Sequence, residues 1–331
     1  MNIAVLGAGS WGTTLAHLLS RKHAVRLWAR SIESVTEINQ AKTLKRYLGD
    51  ARLHSQLQAM GDIEQAASGA DFVIMAIPSQ SFASVMSLAA PFIGKGTPII
   101  SVSKGLELSS LRRMTEIIRA QCPEMPAGVL TGPNLATEIM AGFAAASVLA
   151  FDDEALTAKW QDALHTPLFR IYRNTDVIGC EICGVLKNII AIAAGMGDGL
   201  GAGDNTRSAM ITRGLAEISR LGVALGAIPE TFYGLAGMGD LVATCTSDKS
   251  RNRTVGFRLG QGESMEHILS SMFMVAEGVK SADAVLSLAA STRIDMPICT
   301  EVGRVIRGES DARRAFRELL KAEIGAEADP F

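Results

Sequence analysis

Short apolar segments alternate with amphipathic ones through the first half of the chain. Apolar runs at 2–6, 24–30 and 70–79, and at the starts of 97–107 and 127–139, predict buried strands. A last pair of strands is expected near 144–151 and 168–174. Because helical patterns separate these runs, they predict a doubly wound α/β sheet with its ligand at the carboxyl ends of the strands.

The first strand runs directly into a glycine-rich turn that contains Ser10 and Trp11. Gly7, Gly9 and Gly12 form the pattern GxGxxG between a strand and a helix. In that context the glycines permit a tight turn, close approach to a pyrophosphate, and packing of the helix on the strand. The turn is therefore expected to bind a dinucleotide at the helix N-terminus, although a turn without a ligand is the alternative.

The second strand ends in Arg30, where an NAD-specific protein would place a carboxylate for the ribose. An arginine at this point can accommodate a 2′-phosphate, so NADP is expected to be accepted, with or without NAD. An exposed arginine at a strand end, with no ligand, explains this stretch equally well.

The second half of the chain changes character near residue 178, after which helical patterns dominate. The segment 206–226 carries an apolar stripe at helical spacing, which indicates core packing. We therefore predict a Rossmann-like dinucleotide-binding domain at 1–178 and an all-α substrate and catalytic domain at 179–331.

Polar residues mark the ends of two predicted strands. Lys104 follows the strand that begins at 97, and Gly132 and Asn134 follow the next one. Because parallel strands end at the ligand-binding edge, Lys104 is a candidate contact for substrate or cofactor; ordinary solvation of a loop is the alternative.

Lys187 is the one charge in the apolar run GVLKNIIAIAAG, 184–195. Burial of an unpaired ammonium is costly, so this lysine either reaches solvent or is retained for a purpose. Asp198 lies eleven residues later and would share its helix face, unless the glycines from 195 to 203 break the helix into a loop, as we expect.

A second polar cluster, Ser250, Arg251 and Asn252, stands at a predicted helix start beyond Asp240. Hydroxyl, guanidinium and amide groups beside free backbone N–H groups suit a phosphate or a carboxylate. A capped surface helix is the alternative.

Composition excludes several classes of function. A net charge of −2 gives no broad footprint for nucleic acid or an anionic membrane. We expect no secretory signal, no apolar stretch of the ~20 residues that span a bilayer, and hence no stable membrane insertion. Five scattered cysteines suit a reducing cytoplasm, and Cys180 and Cys183, although spaced as CxxC, are interpreted as core residues with no metal site.

Taken together, these segments resemble the bacterial-type NAD(P)-dependent glycerol-3-phosphate dehydrogenases over nearly the whole chain. The resemblance rests on LGAGSWGTTLA, PSQ, SKGLE, GPNLATEI, the specific block 184–217, TFYGLAGMGDLVATCTSDKSRNRTVG and VAEGVKSA. It implies interconversion of dihydroxyacetone phosphate and sn-glycerol 3-phosphate by hydride transfer with NAD or NADP, which supplies glycerophospholipid synthesis.

The resemblance also implies roles for individual residues. Lys187 would be the general acid/base, since burial lowers a lysine pKa towards neutrality while a carboxylate such as Asp240 keeps it charged. The implied substrate contacts are Lys104, Gly132, Asn134, Lys187, Asp240, Ser250, Arg251 and Asn252. The implied cofactor contacts are Gly7, Gly9, Ser10, Trp11, Gly12, Arg30, Lys104, Ala136, Arg251, Val275 and Glu277.

Two departures and two alternatives remain open. Asn134 stands where many members carry Ser or Thr, and RYLGD at 46–50 matches only part of a Tyr-Leu-Pro-Gly stretch. A related two-domain 3-hydroxyacid dehydrogenase would share the fold and the lysine, and a non-catalytic nucleotide sensor would share only the glycine turn. The expected partner is a small phosphorylated substrate, without nucleic acid, and a homodimer is left open.

Overall fold

The computed structural model describes residues 1–272 and 276–321, which form two compact units. The first consists of Met1–Glu107 and Arg112–Val177, and the second of Leu108–Leu111 with the chain from Ile178 onward.

The first unit is built on one eight-stranded sheet with the order β3-β2-β1-β4-β5-β6-β7-β8. All neighbouring strands are parallel except β6 and β7, which are antiparallel. The strands are β1 (Asn2–Leu6), β2 (Ala24–Trp28), β3 (Gln58–Met60), β4 (Phe72–Met75), β5 (Ile99–Ser101), β6 (Ala127–Thr131), β7 (Ala145–Ala150) and β8 (Phe169–Asn174).

Helices accompany this sheet along the chain. They are α1 (Ser10–Leu19), α2 (Ile32–Thr36), α3 (Lys45–Leu48), α4 (Ile63–Ala67), α5 (Ser79–Ala89), α6 (Met114–Gln121), α7 (Ala136–Met140) and α8 (Glu154–Leu164). Alternate residues of β1 enter two separate apolar clusters, Ile3 and Val5 in one, Ala4 and Leu6 in the other. Since both faces are buried, the strand reads as a continuous apolar run.

The predicted α/β class and the helical second half are confirmed, with small differences at the strand limits. β2 ends at Trp28, two residues before Arg30, and β4 covers only Phe72–Met75 of the apolar run at 70–79. β3 was not predicted, because three residues are too few to show an alternating pattern.

In the residues described, the secondary structure of the second unit is helical, with a short 3-10 helix at Pro229–Tyr233 and a π-helix at Leu235–Gly239 besides the α-helices. Its helices are α9 (Val177–Gly199), α10 (Asp204–Ala224), α11 (Asp240–Thr246), α12 (Arg251–Gly260), α13 (Met265–Ser271), α14 (Glu277–Thr292), α15 (Pro297–Ile306) and α16 (Ala312–Leu319).

The expectation that glycines break α9 after Gly195 is wrong, because the helix continues to Gly199. A Cβ on Gly195 or Gly199 would overlap a backbone carbonyl oxygen of α12, and a Cβ on Gly256 or Gly260 would overlap one of α9. These four glycines therefore let the two helix backbones touch. The glycines serve close packing of two helices, and the favourable contacts outweigh their poor helix propensity.

The expectation that no apolar stretch reaches membrane-spanning length is also wrong. α9 has 23 residues and a mean hydropathy of 1.9, enough to cross a membrane by length and composition. However, 94% of its apolar window is buried inside the protein. α9 is therefore the core helix of the second unit.

His17 links α1 to the segment that follows α3. Its Nδ1 accepts a hydrogen bond of 2.9 Å from the backbone N–H of His54, which requires an unprotonated nitrogen. Burial, aided by the charges of Arg21 and His54, lowers the pKa of His17 to about 4. The fold therefore favours the neutral ring.

This histidine makes stability depend on acidity. Between pH 6.5 and about 4, His17 is protonated in the unfolded chain but stays neutral in the folded protein. The free energy of unfolding therefore falls as the pH is lowered through this range. We expect roughly 2–4 kcal/mol to be lost over this range. His17→Asn keeps an acceptor but cannot titrate, so urea unfolding of the two proteins should diverge between pH 7 and pH 4. Parallel curves would contradict the assignment.

Candidate active site

The three glycines after β1 lie in different surroundings, so a side chain at each would have a different effect. Gly7 has φ +119°, and a Cβ there would overlap the carbonyl oxygen of Ala76. A Cβ on Gly12 would overlap the carbonyl oxygen of Gly7. In contrast, a Cβ on Gly9 would have no atom within 4 Å. The fold requires Gly7 and Gly12, whereas Gly9 keeps a space open in front of α1.

Gly9 is also the N-cap of α1 and supplies no side-chain hydrogen bond to the first turn. The N-terminal N–H groups of this helix therefore face that space, which suits a pyrophosphate. Ser10 donates from Oγ to the carbonyl of Tyr47 at 3.3 Å. Trp11 packs edge-on against Phe169, with ring centroids 5.9 Å apart. These residues fit a dinucleotide.

Arg30 follows β2 with an exposed side chain. It makes no hydrogen bond or ion pair with the described residues. The nearest acid, Glu33, accepts a hydrogen bond from Ser31, which lowers the pKa of its carboxyl group. The guanidinium rather than the carboxylate is thus available beyond this strand end.

Lys104 and Gly132 come together beyond the ends of β5 and β6. Lys104 donates from Nζ to the carbonyl oxygen of Gly132 at 2.9 Å. Gly132 has φ +130°, a conformation that favours glycine. Asn134 accepts from Ser147 Oγ at 2.7 Å, and its buried Nδ2 has no partner in the described part of the chain. Ala136 begins α7 just beyond.

Lys187 is buried in α9 and paired with Asp240 at the start of α11. The Nζ–Oδ1 distance is 2.5 Å, and the side chains are 7% and 2% exposed. Nζ also donates to Thr244 Oγ1 at 2.7 Å, while that hydroxyl donates to the backbone carbonyl of Asp240 at 2.6 Å. Lys187 therefore does not reach solvent: its charge is held in the core by a carboxylate and a hydroxyl.

The polar cluster opens α12, where Ser250 is the N-cap and accepts from the backbone N–H of Arg253. Asn252 donates from Nδ2 to Asn188 Oδ1 at 2.9 Å and accepts from the backbone N–H of Gly278 at 3.0 Å. Its amide thus joins α12 to the residue after Lys187 and to the start of α14.

Arg251 lies in the electrostatic field of Glu277. Desolvation lowers the pKa of Arg251, and the charge of Glu277 opposes that effect. Both residues begin a helix, α12 and α14 respectively. Val275, also expected at the cofactor, lies outside the described residues.

The sequence alone does not identify Thr244 and Asn188 as part of these clusters. Thr244 follows Asp240 by four residues, one helical turn, so a helix from 240 would have placed it beside the carboxylate. Asn188 is adjacent to Lys187, yet its contact with Asn252 depends on how α12 packs against α9.

The five cysteines all lie inside the protein. All five are buried free thiols, and burial raises the pKa of Cys245, near Lys187, to about 12. Within residues 1–272 and 276–321, no group of three or more His, Cys, Asp or Glu could hold a metal ion.

Comparison with known proteins agrees along the whole chain. Residues 2–157 and 176–317 match the models of the N-terminus and the C-terminus of NAD-dependent glycerol-3-phosphate dehydrogenase. An NAD(P)+ glycerol-3-phosphate dehydrogenase of Sphingopyxis alaskensis is 54% identical over 330 residues, 100% of this chain and 99% of that protein. One of Geobacter sulfurreducens is 48% identical over 98% of both.

A solved structure has the same fold. The crystal structure of glycerol-3-phosphate dehydrogenase from Coxiella burnetii, 39% identical, superposes with a TM-score of 0.93 over 97% of this chain and 99% of that one. The chain belongs to the NAD-dependent glycerol-3-phosphate dehydrogenase family.

Proposed function

We propose that the chain interconverts dihydroxyacetone phosphate and sn-glycerol 3-phosphate with NAD(P)H, and that Lys187 is its general acid/base. The observation that carries this role is the buried Lys187–Asp240 pair, with its Nζ–Oδ1 distance of 2.5 Å. A lysine in a core is costly, and here a carboxylate and a hydroxyl keep it charged and oriented.

The dinucleotide supplies or accepts the hydride when it is bound. The space at Gly9 and the N-terminus of α1 support a role in holding its pyrophosphate. The exposed Arg30 supports contact with a 2′-phosphate, so both NADP and NAD are accepted. The proposed contacts are Gly7, Gly9, Ser10, Trp11, Gly12, Arg30, Lys104, Ala136, Arg251, Val275 and Glu277, of which Val275 rests on the family resemblance alone.

Lys187 moves the proton. Addition of hydride to the ketone carbon leaves an alkoxide, which takes a proton from Lys187 Nζ to give the secondary alcohol. In the reverse direction the neutral amine removes that proton as hydride leaves. Asp240 stabilises the ammonium form through its Oδ1, and Thr244 fixes the direction of Nζ.

The remaining polar residues bind the substrate. Ser250 and Arg251 at the start of α12 offer a hydroxyl and a guanidinium to the phosphate, and Asn252, which gives one Nδ2 hydrogen to Asn188, is proposed to give the other to the substrate. Lys104, Gly132 and Asn134 are proposed as further contacts, supported by the orphaned Nδ2 of Asn134 and the Lys104–Gly132 hydrogen bond.

The product supplies glycerophospholipid synthesis. We further propose a cytoplasmic location, which five buried free thiols support. The homodimer stays a proposal, and sedimentation equilibrium measures it directly.

The direct test of the activity is a set of initial rates. Purified protein should oxidise NADPH, and NADH to some degree, on addition of dihydroxyacetone phosphate. Oxidation with 3-keto acids instead would identify the related 3-hydroxyacid dehydrogenase, and dinucleotide binding without turnover would identify a nucleotide sensor.

Gly9→Ala separates ligand binding from folding. Because the new Cβ has open space and Gly9 has φ −85°, the variant should unfold at the wild-type temperature. It should bind NADPH roughly tenfold or more weakly, since the methyl occupies the space proposed for the pyrophosphate. The matched control, Gly12→Ala, should instead lose thermal stability. Unchanged NADPH affinity in Gly9→Ala, measured by calorimetry, would count against this dinucleotide site.

Lys187→Met tests the proton donor. It keeps the apolar stem, and kcat should fall by roughly 10²–10⁴, the contribution of a positioned acid. Because it also leaves Asp240 buried without its cation, Lys187→Met should be destabilised by roughly 3–5 kcal/mol. Lys187→Met combined with Asp240→Asn removes both charges and should restore stability without restoring kcat. Recovery of activity together with stability would show that the lysine is only structural.

A further inference from the structure

A buried carboxylate that the proposed chemistry does not use, Asp198, lies near the end of α9. Its side chain is 6% exposed and holds two arginines. Oδ2 accepts from Arg253 Nε on α12 at 2.8 Å, and Oδ1 accepts from Arg207 Nε and Nη2 on α10, both at 2.8 Å. The bond to Asp198 is also the main reason that the pKa of Arg207 is raised.

Asp198 shares a helix face with Lys187. Eleven residues make slightly more than three full turns, so the two side chains leave α9 in nearly the same direction, about 16 Å apart along its axis. Lys187 bonds to α11 through Asp240, and Asp198 bonds to α12 through Arg253. One face of a single helix therefore holds α11, which carries Asp240, and α12, which carries Arg251 and Asn252.

The bond to Arg253 bears on the orientation of the first turn of α12. Consecutive helical residues point about 100° apart, so Arg251, Asn252 and Arg253 leave the axis in three directions. Asn252 is anchored to Asn188 and Arg253 to Asp198. Because two of these three side chains are held, this turn cannot rotate about the helix axis. The direction in which Arg251 leaves the helix is therefore fixed as well.

Stability alone does not account for this arrangement. The cost of removing two charges from water offsets much of their mutual attraction. Apolar side chains of similar volume often stabilise a protein as much as a buried ion pair does. Each arginine also has an exposed partner, Asp204 for Arg207 and Asp248 for Arg253, with side chains 91% and 94% exposed. What a buried carboxylate adds is fixed direction, since guanidinium and carboxylate bond only in defined geometries.

We propose that Asp198 is a positioning residue for substrate recognition: through Arg253 it fixes the first turn of α12 so that Ser250 and Arg251 meet the substrate phosphate. This inference rests on the proposed function, since it assigns the phosphate to that turn. Asp198 itself touches neither substrate nor dinucleotide in this account.

The test compares two carboxylates that hold the same arginine. Asp198→Asn removes the buried one, and the matched control Asp248→Asn removes the exposed one. With dihydroxyacetone phosphate, Asp198→Asn should lower kcat/KM about 10- to 100-fold, mainly through KM, because a charged hydrogen bond is misaligned. With dihydroxyacetone, which lacks the phosphate, the same variant should stay within about threefold of wild type. Asp248→Asn should match wild type with both substrates.

An equal loss with both substrates would make Asp198 merely structural and overturn the proposal. Hydrogen exchange of the amides at 251–254 supplies a readout independent of turnover. It should quicken in Asp198→Asn and not in Asp248→Asn, and unchanged exchange in both would also overturn the proposal. If wild type fails to reduce dihydroxyacetone phosphate, the proposed function falls, while exchange still decides the positioning role. If Asp198→Asn does not fold, Arg253→Lys replaces it, since lysine keeps the charge but lacks the planar guanidinium. This variant should also lose kcat/KM with dihydroxyacetone phosphate and not with dihydroxyacetone.

Discussion

The second unit depends on one interaction, the ion pair of Lys187 and Asp240 in its core. Lys187 is the one charge in the apolar run 184–195 of α9, so it requires a partner that is equally buried, and α11 supplies that partner with its first residue. A carboxylate at a helix N-terminus is also favoured by the helix dipole. The ion pair therefore ties the start of α11 to the middle of α9.

Glycines bring α12 to the same helix. Gly195 and Gly199 on α9 and Gly256 and Gly260 on α12 allow backbone contact, which side chains would prevent. The contact brings Asn252 within hydrogen-bonding distance of Asn188, one residue after Lys187. Close packing and buried polar bonds thus act together: the glycines set the distance between the helices, and the bonded side chains set their orientation.

Much of this organisation is predictable from the sequence, because it follows local rules. The alternation of apolar strands and helices and the strand–GxGxxG–helix context need no information from distant residues, and both agree with the structure. The loop predicted from Gly195 onward was wrong, because a cluster of glycines has the same composition in a loop and at a point where two helices cross. Only the partner, 61 residues further on from Gly195 at Gly256, distinguishes the two.

The residues of the candidate site also divide into those that the sequence identifies and those that only the structure shows. Lys187 stands out because a lone charge in an apolar run demands an explanation, and Asp240 stands out amid small residues. Thr244 and Asn188 do not, since threonine on a helix and asparagine beside a lysine are ordinary in sequence. Their importance lies in contacts across 57 and 64 residues, Lys187 with Thr244 and Asn188 with Asn252, which depend on the packing of whole helices.

In the proposed reaction the buried lysine delivers the proton to the reduced ketone, and the pH dependence of the rate reports on that step. The quantity to measure is kcat/KM for reduction of dihydroxyacetone phosphate by NADPH across neutral and alkaline pH, for wild type and Lys187→Met. If Lys187 is the proton donor, the wild-type rate should fall as the lysine loses its proton, and Lys187→Met should keep a residual rate without that alkaline limb. The same alkaline limb in Lys187→Met would contradict the claim, because another group would then supply the proton.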